Sequence, residues 1–132
     1  MRRLKHNLVL VIEPKKAPRV VDLDGSLETY QKTVGGYIEA VYPFDDPVAL
    51  IVNEEGKLNG LPLNRALRDE DGDCYDIVAG TFLVVGLSDD DFTTLSPDQL
   101  VKYAVHFAVP EHFVKTSTGG FTVIPMLRGE VQ

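Results

Sequence analysis

Tryptophan is absent from this chain of 132 residues, cysteine occurs once, methionine twice and histidine three times. The lone Cys74 rules out an internal disulfide and leaves a cysteine-based metal site or redox pair without its second ligand. A reducing, intracellular setting is the expectation, and with it a cytoplasmic location. His6, His106 and His112 form neither a His-x-x-x-His pair nor a His-Glu-x-x-His pattern, so no metal is expected and each histidine reads as a surface or boundary residue. Basic residues are the scarcer charge, 13 against 20 acidic ones, for a formal net charge of −7. That balance disfavours a nucleic-acid binder working through a broad basic surface, because neutralising phosphates takes clustered Lys and Arg.

Long apolar runs are missing as well. Val48 to Val52 and Phe82 to Val85 fall far short of the roughly 18 residues of a membrane span. Met1 to Lys5 imitates the basic front of a signal peptide, but Glu13-Pro14 cuts the run Leu8 to Ile12 below the roughly 7–15 residues of an h-region, so neither export nor membrane association is expected. Gly35-Gly36 and Gly119-Gly120 lack the Lys of a phosphate loop and the spacing of a dinucleotide motif, and they read as a helix cap and a linker. No cofactor is expected. No Ser, Thr or Cys stands in a nucleophile context, so covalent catalysis has no support and no catalytic residue is assigned.

What is present suits one globular domain: 44% of residues are hydrophobic and 25% charged, in a length typical of a single core. Leu8 to Ile12 reads as a strand buried on both faces and the most central one, followed by a shorter strand over Pro18 to Leu23. Ser26 to Thr33 has helical spacing and stops at the glycine pair. Tyr37 to Phe44, with its even positions towards the core, and Val48 to Val52 read as strands, the latter returning through Leu58. Pro62 to Arg68 suggests one or two helical turns with Asn64 near their start. Ile77 to Leu87 reads as one long strand with a bulge at Gly80.

The clearest local signal follows: Ser96 as N-cap, Pro97 at the first helical position, Asp98 in the first turn and Gln99 three residues after the cap. Leu100, Tyr103, Ala104 and Phe107 line one face of that helix, and Pro110 ends it. The expected architecture is a single α+β domain over residues 1–114, a mixed or antiparallel sheet of about five strands with two main helices packed on one face. Residues 115–132 read as a linker and short apolar tail. Phe121 to Leu127 can add an edge strand or pair with another chain, a route to a homo-oligomer.

Two segments invite a site. Asp69, Asp71 and Asp73 stand at positions one, three and five of a calcium loop, but position six, where the turn requires Gly, is Cys74, so the stretch reads as solvated charge. Asn53 to Arg65 mixes polar function with tight backbone constraint: Asn53, Glu54, Lys57, Asn64 and Arg65 are interleaved with Gly56, Gly60 and Pro62. An Asn–Arg pair beside a turn can grip a carboxylate or phosphate, since Arg offers a bidentate fork and Asn both donor and acceptor. Turn and cap chemistry explains the same residues without a ligand: Asn53 and Gly56 shape a turn, Asn64 caps a helical turn and Arg65 pairs with a loop acid.

At these residues the chain resembles a family. Val34-Gly35-Gly36-Tyr37-Ile38-Glu39, then Asn53-Glu54-Glu55-Gly56-Lys57-Leu58 with Gly60-Leu61-Pro62 and Asn64-Arg65, then Asp76-Ile77 with Gly80-Thr81-Phe82, and Phe92-Thr93-Thr94-Leu95-Ser96 resemble the domain of unknown function 3846. Its members are typical of phages, plasmids and conjugative elements, which implies an accessory protein of a mobile element and brings no catalytic residue with it. The leading expectation is a non-enzymatic binding protein, counter-defence included, that takes a host protein or small anionic ligand through Asn53, Glu54, Lys57, Asn64 and Arg65. A small enzyme acting on a nucleotide-like ligand, with Glu54 or Glu39 as base and Arg65 on phosphate, is the alternative. An acidic DNA mimic is a third, resting on net charge alone.

Overall fold

The computed structural model describes residues 6–131; the basic stretch Met1 to Lys5 and Gln132 lie outside them. The elements run β1 (Asn7–Ile12), β2 (Arg19–Leu23), α1 (Leu27–Val34), β3 (Ile38–Val41), β4 (Val48–Asn53), β5 (Leu63–Arg68), β6 (Cys74–Ala79), β7 (Phe82–Leu87), β8 (Phe92–Thr93), α2 (Pro97–His106), β9 (Glu111–Lys115) and β10 (Phe121–Pro125), with a 3-10 turn at Arg128–Glu130. The architecture is mainly β with two helices.

The main sheet has six strands in the order β2-β1-β7-β4-β3, with β8 alongside β7, and β5–β6 and β9–β10 form two-stranded sheets. Every pairing among the described residues is antiparallel. The sheet is therefore larger than the sequence suggests, and its centre is β7, flanked by β1 and β4, where β1 was expected. Its register places Leu10, Val84, Leu50 and Val41 in one row across four strands.

Strand alternation sends neighbouring side chains to opposite faces, and here both faces are covered. Leu10, Ile12, Val48, Leu50, Val52, Phe82 and Val84 pack under Tyr103 and Phe107 of α2 and under Leu67 and Val78 of β5–β6. Val9, Val11, Ala49, Ile51, Leu83 and Val85 pack under Tyr30 and Val34 of α1. The helices thus lie on opposite faces of the sheet, which corrects their expected placement on one. Unbroken apolar runs are what an antiparallel sheet needs when neither face meets water.

Local signals set both helix ends. Ser26 caps α1, and Gly35, at φ 81°, terminates it in the left-handed conformation. Ser96 caps α2 through a full capping box with Gln99. The apolar stretch read as one strand is two. Gly80, at φ 85°, turns the chain out of β6 and into β7, and its N–H donates to the Pro62 carbonyl at 2.7 Å; that φ suits glycine because no Cβ crowds the backbone. No return strand follows β4, since residues 54–60 form consecutive turns, and Leu63–Arg68 is strand where helical turns were expected. In the C-terminal part, residues 116–120, read as a linker, form the turn of the β9–β10 hairpin, and the apolar tail supplies its second strand. Among the described residues, no helix is long and apolar enough to cross a membrane.

Candidate functional site

The five residues singled out in Asn53–Arg65 part into two groups. Asn64 and Arg65 lie in the interior, at 0% and 1% exposure. A register shift between Leu63 and Arg65 in the β5–β6 pairing explains how consecutive polar residues both point inward, because a bulge breaks the alternation of faces. Asn64 Nδ2 donates to the carbonyls of Ile12 and Gly80, at 2.9 and 2.8 Å. Arg65 donates from Nη2 to Lys16 O at 2.7 Å, from Nε and Nη2 to Phe107 O at 3.2 and 3.0 Å, and from Nη1 to Asn64 Oδ1 at 2.8 Å. Burial pushes the guanidinium down to about 10, with the Glu111 charge pulling the other way. The side chain joins β5 to the β1–β2 turn and the end of α2. Asn64 thus sits in a strand and caps no helical turn, and Arg65 bonds to carbonyl oxygens and Asn64 Oδ1 where a loop acid was expected.

Asn53, Glu54 and Lys57 gather at a cleft of about 350 Å³ between the β3–β4 edge of the main sheet and the β5–β6 hairpin. Val41, Val52, Leu67 and Val78 supply apolar walls, and Glu39, Glu54, Glu55, Lys57 and Asp76 supply charge. Asn53 builds one end of the cleft: its Nδ2 donates to Val34 O at 3.0 Å, tying β4 to the end of α1, and its Oδ1 accepts from Glu55 N at 2.9 Å, shaping the turn. Gly56 lets that turn lie against β6, where a Cβ would stand 2.6 Å from the Ala79 carbonyl oxygen. Lys57 Nζ pairs with Asp76 across the cleft mouth, and Asp76 Oδ1 also accepts from Ile77 N at 2.8 Å. Glu39 and Glu54 share the cleft, while Arg65 is not among its lining residues, so the Glu–Arg combination of the enzymatic reading is not assembled there.

A second, wider groove of about 710 Å³ runs between α2, the β3–β4 connection and the tip of β5–β6. In it Tyr103 Oη donates to Asp46 Oδ2 at 2.6 Å, and Lys102 Nζ donates to the same oxygen at 2.5 Å. These bonds hold the Asp46 carboxyl below its usual range, while burial, reinforced by the adjacent carboxylate, drives the Tyr103 phenol well up. His106 lies beside Phe44 and Phe107, with ring centroids 5.1 and 4.7 Å away, and burial lowers its pKa. From sequence, Tyr103 reads only as part of an apolar helix face, and nothing singles out Asp46. Nothing local relates residues 57 apart. Asp69 and Asp71, which line this groove, and the adjacent Asp73 bring one carboxylate oxygen each within 4.8 Å of one another, all exposed, and Asp69 Oδ1 already accepts from the N–H groups of Asp71 and Asp73.

The motif residues of the resemblance up to Phe82 therefore gather at the end of α1, the turn after β4, the bulge of β5, β6 and the corner at Gly80, around the cleft or behind it, whereas Phe92 to Ser96 lie apart, in β8 and at the N-cap of α2. No curated protein and no solved structure matches the chain. The family model described as domain of unknown function (DUF3846) matches residues 4–108, and the chain belongs to that family.

Proposed function

We propose that this protein is a non-enzymatic binding module, an accessory protein of a phage or other mobile element, and that the cleft between the β3–β4 edge and the β5–β6 hairpin takes its partner or ligand. The observation that carries the reading is the pairing of apolar walls, Val41, Val52, Leu67 and Val78, with a charged rim in one concave site. Binding sites of this kind combine an apolar surface for affinity with a few polar groups for orientation.

The rim refines the guest. Among the described residues, Glu39, Glu54, Glu55 and Asp76 face a single ammonium, Lys57, which is engaged by Asp76. That balance favours a guest carrying an apolar group and positive charge over the anionic ligand suggested by the sequence. Host-protein segments and small amphiphilic amines both fit this chemistry.

The test is a screen of small amphiphilic amines and matched carboxylates against ¹⁵N-labelled protein. Amines should shift the amides of Glu39, Val41, Val52 to Leu58 and Ile77 to Ala79, and lose their effect in the double variant Glu39→Lys with Glu54→Lys. Hits confined to carboxylates, or shifts mapping away from these residues, would overturn the reading.

A further inference from the structure

We infer that β3 is an open docking edge that takes a basic, extended segment of a partner protein as an added antiparallel or parallel strand. The inference rests on the proposed binding surface and names the kind of partner that surface takes.

Among the described residues, β3 ends the main sheet and has β4 as its only strand neighbour in the sheet order. Its pairing phase is fixed. Ile38 faces Asn53, and one step earlier Glu54 N donates to Tyr37 O at 2.9 Å. In an antiparallel pair, bonded positions alternate with non-bonded ones. Tyr37, Glu39 and Val41 therefore direct their N–H and C=O groups at β4, whereas Ile38 and Ala40 direct theirs outward. No turn, loop or cap bond among the described residues takes those outward groups.

Natural edges are blunted by lysine, proline, bulges or a covering element. β3, though only four residues long, carries no lysine, proline or bulge within Ile38–Val41, and its register with β4 is unbroken. The opposite edge strand, β2, is entered through Pro18 and carries Arg19, which is engaged with Glu13. Exposed tyrosines flank the β3 edge, Tyr37 at 71% and Tyr42 at 62%, and aromatic side chains are frequent anchors of interfaces.

Charge selects the occupant. The cleft-side face of β3 presents Glu39 and Val41, with Glu54 and Glu55 at the adjoining turn. A strand laid along β3 places alternate side chains on that same face. Lysine or arginine there would meet Glu39 and Glu54, and apolar residues would meet Val41.

The probe is a blocked octapeptide of alternating lysine and valine, compared with its glutamate–valine counterpart, using hydrogen exchange and amide shifts of the whole chain. The lysine peptide should slow exchange at Ile38 and Ala40 and bind about tenfold or more tighter than the glutamate peptide. Ala40→Pro should abolish this binding while the melting transition persists, because it removes an outward N–H that the ladder with β4 does not use. Methylating alternate amides of the peptide applies the same test from the ligand side should that variant not fold. Equal binding of the two peptides, or concentration-dependent self-association that protects Ile38 and Ala40 without peptide, would overturn the inference. A lysine peptide that shifts Val52 to Leu58 but leaves Ile38 and Ala40 exchanging would overturn strand addition and leave the cleft reading standing. Loss of both responses would remove both.

Discussion

Arg65 closes the C-terminal end of α2 from another element, donating from Nε and Nη2 to the carbonyl oxygen of Phe107 at 3.2 and 3.0 Å. The last carbonyls of a helix lack intrahelical donors and carry partial negative charge, so a guanidinium is suited to the position. Further bonds to Lys16 O and Asn64 Oδ1 leave this buried cation solvated by the protein's own oxygens.

Arg65→Met should therefore destabilise the protein by about 3 kcal/mol, because the carbonyls it served stay buried without a donor. Arg65→Lys should recover only part of the loss, since one ammonium cannot span the same set of acceptors. Denaturant unfolding measures both, and a loss below about 1 kcal/mol for Arg65→Met would contradict the clamp.

Gly56→Ala should cost about 1–3 kcal/mol, since its Cβ would press on the backbone of β6 rather than on a side chain able to move. The same variant should shift the amides of Glu54 to Leu58 and of Ile77 to Ala79. Wild-type stability in Gly56→Ala would mean that the turn does not rest on Ala79.

Acid should weaken the fold in two separate windows. Partial desolvation of its ring against Phe44, Tyr103 and Phe107 holds His106, an otherwise exposed residue, below its ordinary 6.5, with Glu111 opposing the shift and Lys102 adding to it. Between its folded value and 6.5 the unfolded chain binds more protons, so stability is full above 6.5 and falls as pH drops through that interval. Asp46, held below 3.8, contributes stability above 3.8 that is lost as pH falls through its folded value. Melting temperatures of His106→Phe across pH 7 to 3 should lack the upper decline and keep the lower one.

Tyr103→Phe removes one of the two donors holding the Asp46 carboxylate. The Asp46 pKa should move up towards its ordinary value, read from its carboxyl ¹³C shift, and melting should occur at lower temperature. An unmoved Asp46 titration would show that Lys102 alone sets it.

Both helices were legible because their signals are local: Ser96 and Gln99 complete their capping box within four residues, and Gly35 ends α1 where the apolar spacing stops. The buried strands β1 and β4 were legible as apolar runs. The stretch Leu63–Arg68 was not, because its bulge erases the alternation by which a strand is recognised. Gly80 was read as a bulge within one strand, because the apolar residues on its two sides give no sign that they enter different sheets.

In the segment 53–65, Asn53 and Gly56 make the turn that their types suggest, through the bonds of Glu55 N to Asn53 Oδ1 and of Gly56 N to Asn53 O, while Gly56 also rests on Ala79 of β6. Asn64 and Arg65 instead meet partners 52 and 42 residues away. Composition, caps, turns and apolar periodicity thus carried the class of the protein, its helices and several of its strands, since each depends on residues within a turn or two of one another. The faces on which the helices lie, the inward turn of Asn64 and Arg65, and the union of Glu39, Glu54, Lys57 and Asp76 around one cleft were settled by packing distant segments together, where burial decides which polar groups must find partners within the protein.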